Sequence, residues 1–385
     1  MNIVYNNQND IASGIAKFLK KCCPKMRKTQ LNIIPYVIFG MMISESLVPS
    51  DIAKHLKEKF SLVQPESVIK RINRLFKNKL FSPYEIYDQI IRYVIENYKV
   101  KHNDNKVHIV FDHMFSRDNY TIFMITMRVG NQGIPLWFRC FEGKECPEAF
   151  QEEFIKEGIS YVSDLFDNKY NLIFLADRWF NSTGLMKHID ELGHEYVLRL
   201  KKNIKVFYYD KKKKRKRWIT LGELPKKKYF SKHYEDIEIT DKMYKTTIVI
   251  SDSRDTDTPW ILATNGNYKR AIIDYGYRFG GIETVFKNQK SNGFYIENTV
   301  NASLKYFESM YFFACVGVLL ATIIGSDYSK NKSHYKQIKI KTHTISNSRK
   351  TRTKSLFQTG LTLFQRAFNS LIYIKINYKF ILYDV

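Results

Sequence analysis

Between Asn105 and Asn203 the chain switches repeatedly between strand-like and helix-like period, and that alternation limits the folds open to it more than any other feature. KVHIVFDHM is an apolar run ending in polar residues, and YTIFMITMRVGNQGIPLWFRCFEG reads as two further strands around a Gly-Asn-Gln-Gly turn. FQEEFIKEGISYVSDLF is then an amphipathic helix, NLIFLADRW a buried strand, STGLMKHIDELG a helix ending at Gly193, and HEYVLRLKKN another strand. A meander of strands followed by alternating helix and strand implies an α/β fold built on one mixed sheet.

The flanks differ in texture. From about Ile11 to Tyr98 apolar residues recur at helical spacing, with Pro24, Pro35, Pro49 and Pro65 as breaks, so residues 1–104 read as a small helical domain. Within it, SVIKRINRLFKNK sets Lys70, Arg71, Arg74, Lys77 and Lys79 beside a stripe of Val68, Ile69, Ile72, Leu75 and Phe76. A basic amphipathic helix of this kind serves either as a DNA-groove element or as a solvated face. Residues 105–327 form the α/β unit, and within it a stretch at about 204–265 breaks the alternation. It opens with seven consecutive basic residues, Lys211 to Arg217, continues with strand-like pieces, and is expected to be an inserted β-rich subdomain. The segment 328–385 is basic, lacks any acid from Tyr328 to Tyr383, and is expected to be loose without DNA.

Charge then bears on partners. Against 38 Asp and Glu stand 62 Lys and Arg, a formal net charge of +24 in 385 residues. An excess of that size is self-repulsive unless a polyanion relieves it, which points to nucleic acid. Cys22, Cys23, Cys140, Cys146 and Cys315 form no C-xx-C pattern, so neither a disulfide framework nor structural zinc is indicated and a reducing compartment fits. The opening MNIVYNNQNDIASG lacks the features of a secretory signal. The apolar run Tyr311 to Gly325 is 15 residues long, short of the roughly 20 needed to span a bilayer, and reads as a buried core helix. No feature suggests a membrane or small-molecule role.

Two acids occupy equivalent places: Asp112 ends the strand HIVF and Asp177 ends the strand NLIFLA. Strand ends form the rim of an open α/β sheet, where ligands bind, and two aspartates facing one another there repel unless a divalent cation joins them. By themselves they serve equally well as a turn residue and a helix N-cap. Downstream, YGYRFGGIETVFKNQKSNGF carries Glu283 on a helix whose Ile282, Val285 and Phe286 face inward, with Lys290 two turns further on and Tyr275 and Arg278 just upstream. Acid, arginine, lysine and tyrosine around one helix end suit a site handling a metal and a phosphate, although a surface glutamate among basic neighbours also fits.

Together these motifs resemble the DDE transposases of bacterial insertion sequences, in the group with a β insertion before the catalytic glutamate. That group's signature is Y-xx-R-xxx-E-xxxxxx-K, and Tyr275, Arg278, Glu283 and Lys290 match it, except that four residues rather than three separate Arg278 from Glu283. The additional residue falls at Gly280-Gly281, where a bulge or loop absorbs it. The resemblance covers roughly residues 40 to 365 and implies an RNase H-like catalytic core. Asp112, Asp177 and Glu283 would be both catalytic residues and ligands of two Mg²⁺ ions, with Mn²⁺ as substitute. Arg278, Lys290 and Tyr275 would contact DNA near the cut, Arg71 and Arg74 would contact it from the helical domain, and Trp218 would either stack on an unpaired base or pack. Trp179 is expected to pack at the rim, and His113 to be a supporting group or a satisfied polar side chain. Asp118 and Glu297 rank below the three carboxylates as ligands. Implied partners are double-stranded DNA at the element ends and target, and a second copy of the chain, in a bacterial cytoplasm. The implied activity is cleavage at element ends and strand transfer; a catalytically silent relic and a nuclease without strand transfer are the rivals.

Overall fold

The computed structural model describes residues 8–56, 63–98, 105–116, 119–143, 148–167, 169–210, 214–226, 228–252, 258–298, 303–331, 342–346, 349–352, 354–369 and 382. The first part is helical: α1 (Gln8–Cys22), α2 (Lys28–Leu31), α3 (Ile34–Ser44), α4 (Pro49–Lys54), α5 (Pro65–Lys77) and α6 (Pro83–Glu96). Prolines 35, 49, 65 and 83 stand in the first turns of α3, α4, α5 and α6, where a missing N–H costs nothing and a fixed φ helps.

A ten-stranded sheet follows, containing β1 (Lys106–Ser116), β2 (Tyr120–Val129), β3 (Gln132–Glu142), β4 (Asn171–Ala176) and β5 (Glu195–Arg199). Helix α7 (Glu148–Phe166) links β3 to β4, and α8 (Thr183–Glu191) links β4 to β5. The order begins β3-β2-β1-β4-β5, with β2 antiparallel to both β1 and β3 while β1, β4 and β5 run parallel. Strand β2 is buried at nine of ten positions and β4 at five of six, as expected when both faces are covered.

The insertion supplies β6 (Lys205–Asp210), β7 (Arg215–Thr220), β8 (Ser231–Ile239), β9 (Tyr244–Ser251) and β10 (Trp260–Thr264). These strands belong to the same sheet as β1–β5. Strand β10 pairs with β5, and β9, β8, β6 and β7 extend the same sheet outward by antiparallel pairing. Ladder hydrogen bonds that would otherwise be exposed along β5 are thereby satisfied.

Next come α9 (Ala271–Gly280), α10 (Ile282–Lys290) and α11 (Leu304–Lys330). Opposite faces of the sheet receive α7 and the α9–α10 pair. A Cβ at Gly158 of α7 would meet Ile125 and Trp137, whereas a Cβ at Gly281 would meet Val110, which lies opposite Thr126, the neighbour of Ile125. Successive strand residues point to opposite faces, so Ile125 and Thr126 separate the two layers.

The 27-residue α11 is far longer than the 15-residue run suggested and is long and apolar enough to cross a membrane, but 94% of its most apolar window is buried inside the protein. It packs against α3, α5, α6, α10 and β3, with Phe76 edge-on to Tyr306 and Phe81 edge-on to Phe312. The described part of the C-terminal segment forms further elements. It contains a hairpin of β11 (Thr342–Ser346) and β12 (Arg349–Arg352), and then α12 (Leu356–Asn369), which lies along α11. Leu356, Phe357, Leu361, Leu363, Phe364 and Ala367 bury that contact. The N-terminal helices are therefore not an independent layer; they share a core with α11 and α12.

Candidate active site

Asp112 reaches its place by strand parity. On β1, His108, Val110 and Asp112 point to one face, the face covered by α9 and α10, and His108 Nε2 lies 3.1 Å from Asp274 Oδ1 of α9. The parallel register pairs Val110 with Leu175, and two residues further along Asp177 stands just past the end of β4 while Asp112, expected to end its strand, lies inside β1, which stays paired with β2 as far as Ser116. Asp177 caps the short 3₁₀ turn Arg178–Phe180, its Oδ1 accepting from Trp179 N at 2.8 Å, and Asp112 Oδ1 accepts from His113 N at 2.9 Å. The capping use of Asp177 and its membership of an acidic cluster thus coexist, each occupying different lone pairs.

Glu283 arrives from the other direction. Helix α9 ends at Gly280, α10 begins at Ile282, and the break between them is fixed to β3: Thr284 Oγ1 donates to Gly281 O at 2.7 Å and accepts from Gly133 N at 3.2 Å. In an unbroken helix residues five apart lie about 140° apart around the axis, on different faces. The break cancels that rotation, and Arg278 Nη1 donates to Glu283 Oε1 at 2.9 Å. The additional residue at Gly280-Gly281 is thereby absorbed in the turn.

Arg278 lies between the acids. Its Nη2 donates to Asp112 Oδ2 while Nη1 serves Glu283, its side chain is 9% exposed, and its Nε has no hydrogen-bond partner among the described residues. The acids feel one another. Burial pushes the Asp112 carboxyl above its ordinary range, Arg278 pulls it back, and the charge of Asp177 raises it further. Glu283 is raised by burial first, lowered by Arg278, then raised by Asp112 and Asp177. Three carboxylates therefore share one field where β4 ends beside β1. Their hard oxygens suit Mg²⁺ or Mn²⁺. In the conformation described, no three acidic, histidine or cysteine side chains among the described residues are grouped to hold a metal, and a guanidinium takes one oxygen from each of Asp112 and Glu283.

The remaining sequence-derived residues divide. Tyr275 is 1% exposed and packs edge-on against Trp260 at 4.9 Å, and Arg278 is turned inward as well. The reason lies in α9, whose buried positions Ala271, Asp274, Tyr275 and Arg278 recur at helical spacing along the sheet face. Lys290 pairs with Glu297 at 3.1 Å on the half-open far end of α10. Arg71 and Arg74 are exposed on α5, away from the face that Val68, Ile72, Leu75 and Phe76 bury. Trp218 is half-exposed against Phe207 on the edge strand β7, seven strands from β1, or on the order of 30 Å at ~4.8 Å per strand, so it is not gathered with the acids. Asp118 and Cys146 lie outside the described residues.

One residue was misjudged from sequence. Trp179, expected to pack at the rim, is 57% exposed beside Asp177, with the His113 ring at 5.6 Å and Lys201 Nζ 5.6 Å from its own ring centre. Its neighbour Phe180 takes the buried position instead, and RWF alone does not say which aromatic turns inward.

No family model matches the chain, and no curated protein matches it in sequence. Among solved structures it is similar to a piggyBac transposase synaptic complex with hairpin DNA, with TM-score 0.45 and 15% identity, covering 93% of this chain and 77% of that one. It is also similar to the Marinitoga piezophila Argonaute in complex with 5′ OH guide RNA and target DNA, with TM-score 0.23 and 11% identity over 51% of this chain and 30% of that one. At such identities a likeness assigns no role to any side chain.

Proposed function

We propose that this chain is a DDE transposase that cuts DNA at the ends of a bacterial insertion sequence and joins the freed 3′ ends to target DNA. The observation that carries the proposal is the placement of Asp112 on β1, Asp177 just past the end of the parallel strand β4 and Glu283 at the start of α10, with Arg278 of α9 paired to both Asp112 and Glu283. The run β3-β2-β1-β4-β5 with its crossover helices supports an RNase H-like core, and the match of Tyr275, Arg278, Glu283 and Lys290 to the family signature supports the transposase assignment.

In this reading Asp112, Asp177 and Glu283 would hold two Mg²⁺ ions. Ions so held supply activation of the attacking oxygen and stabilisation of the leaving one in an in-line displacement at phosphorus. The chain's own groups do the positioning. Lys290 and, once turned outward, Arg278 give charge-assisted contacts to phosphate. Exposed Trp179 offers a flat apolar face beside Asp177, and Arg71 and Arg74 on α5 hold duplex away from the cut. The net charge of +24 suits two DNA ends, and joining both calls for a second copy of the chain in the DNA-bound state. Buried free thiols at Cys22, Cys23, Cys140 and Cys315 fit a reducing, DNA-containing compartment such as a bacterial cytoplasm.

The test is cleavage and joining of labelled DNA that carries the sequences flanking the gene, in Mg²⁺ or Mn²⁺, with the native chain and Glu283→Gln side by side. The native chain is expected to cut at the ends and join them to target, and the variant to bind without reacting. Binding without reaction by both chains in every metal would reduce the protein to a silent DNA binder, and cutting that never leads to joining would make it a nuclease.

A further inference from the structure

The proposed function gives Arg278 a phosphate to hold, yet in the structure its guanidinium is committed to Asp112 and Glu283, two of the three acids that would hold the ions. A guanidinium and a divalent cation cannot both lie between those carboxylates: the oxygens are shared and the like charges repel. We propose that Arg278 is an internal competitor for the metal, so that a DNA phosphodiester must draw its guanidinium away from Asp112 and Glu283 before the carboxylates can take up cations. This inference rests on the proposed metal centre and deepens it.

Three features make Arg278 a competitor rather than an ordinary structural ion pair. Its positive charge lies in a buried place, with its side chain 9% exposed, and is held by both Asp112 and Glu283 rather than by one partner. It is incompletely satisfied there, because its buried Nε has no partner among the described residues; a site built for this arginine alone would provide one. It also stands at a discontinuity. Gly281, at φ −94° and ψ −100°, separates the last turn of α9 from Glu283, so the arginine can reorient without disturbing α10, which Thr284, Asn288 and Gln289 anchor independently through Gly133, Gln132 and Tyr311. The ligand able to withdraw it is a phosphodiester, which accepts a bidentate guanidinium as a carboxylate pair does.

Such an arrangement links two bindings. If phosphate removes the competitor, DNA raises metal affinity and metal raises DNA affinity by the same factor. Free protein would then stay poorly loaded with metal until DNA is in place.

The experiment measures Mn²⁺ binding to the full chain by calorimetry and by the paramagnetic resonance of free Mn²⁺. Native protein, Arg278→Gln and Asp112→Asn are compared with and without a short random-sequence duplex, subtracting Mn²⁺ bound by the duplex alone. Without DNA, Arg278→Gln is expected to bind Mn²⁺ on the order of 5- to 150-fold tighter than the native chain, the usual span of a coupling between sites. Adding duplex is expected to tighten binding by the native chain over the same range and leave Arg278→Gln unchanged. Arg278→Lys, whose ammonium serves one carboxylate well, should fall between the two. Should the glutamine variant fail to fold, the native chain with and without duplex still reads the coupling. Equal affinities for native and Arg278→Gln, or a native affinity indifferent to duplex, would overturn the competition while leaving the metal centre standing. Binding no stronger than that of Asp112→Asn in every case would overturn the metal centre itself and the competition with it.

Discussion

Burial sets the behaviour of acids throughout this protein, and the response depends on whether a counter-charge is at hand. Asp112 and Glu283 have Arg278 to oppose the loss of water. Cys23 has none: burial pushes its thiol from an ordinary 9.0 up to about 12, with the Asp88 charge adding to the shift. The folded chain therefore holds that proton more tightly than the unfolded one. The associated stability is complete below the unfolded value and is lost as pH rises from about 9 toward 12. The thermal midpoint is expected to decline over that alkaline range and to decline less in Cys23→Ala. At pH 8 iodoacetamide should modify Cys23 only as fast as the protein opens, since the thiolate is the reactive form. Prompt labelling of the native chain at pH 8 would show that the thiol is not held in this way.

At the scale of elements, the closest approach is the crossing of α11 and α12. A Cβ on Gly360 would stand 1.7 Å from the carbonyl oxygen of Ala321, and one on Gly325 would stand 2.0 Å from that of Leu356. The atoms in the way are backbone, so a methyl group forces the helices apart. Gly360→Ala is expected to destabilise the fold by about 1–3 kcal/mol, the usual cost of overpacking, measured as a lower denaturant midpoint at unchanged m-value. An unchanged midpoint would mean that the crossing is looser than described. Such crossings explain where sequence reading reached its limit. Asp177 past the end of β4 and the helix-borne Glu283 were legible because each is defined by its own run of neighbours, whereas the continuation of β1 beyond Asp112 to Ser116 depends on pairing with β2. Of the insertion's strands, β8, β9 and β10 were legible, whereas β7 begins inside the basic run and β6 precedes it, and the joining of β10 to β5 depends on a pairing partner distant in sequence. The inward stripe of α9 is also written in the sequence, since Ala271, Asp274, Tyr275 and Arg278 recur at helical spacing, but the ion pairs that Arg278 makes with Asp112 and Glu283 depend on a strand distant in the chain.

For the molecule as a whole, charge is the dominant long-range property. With +24 spread over 385 residues, binding to DNA is expected to weaken steeply with salt. Engagement of six to ten phosphates would lower affinity by roughly 10³ to 10⁵ between 50 and 200 mM salt. Fluorescence anisotropy of a labelled duplex across that range checks the slope, and a flat dependence would remove electrostatics as the basis of the interaction. The long helix α11 has a different consequence, one concerned with time. Its partners α3, α5 and α6 precede it in the chain, and α6 ends at Glu96 while α11 begins at Leu304. A ribosome adding roughly 5–20 residues per second needs on the order of 10–40 s to cross that interval. Throughout it, Phe76 and Phe81 lack the α11 aromatics that cover them in the finished protein. Newly made N-terminal helices are thus obligate clients of whatever shields apolar surface during synthesis, and a message broken before codon 304 yields a product that cannot close its own core.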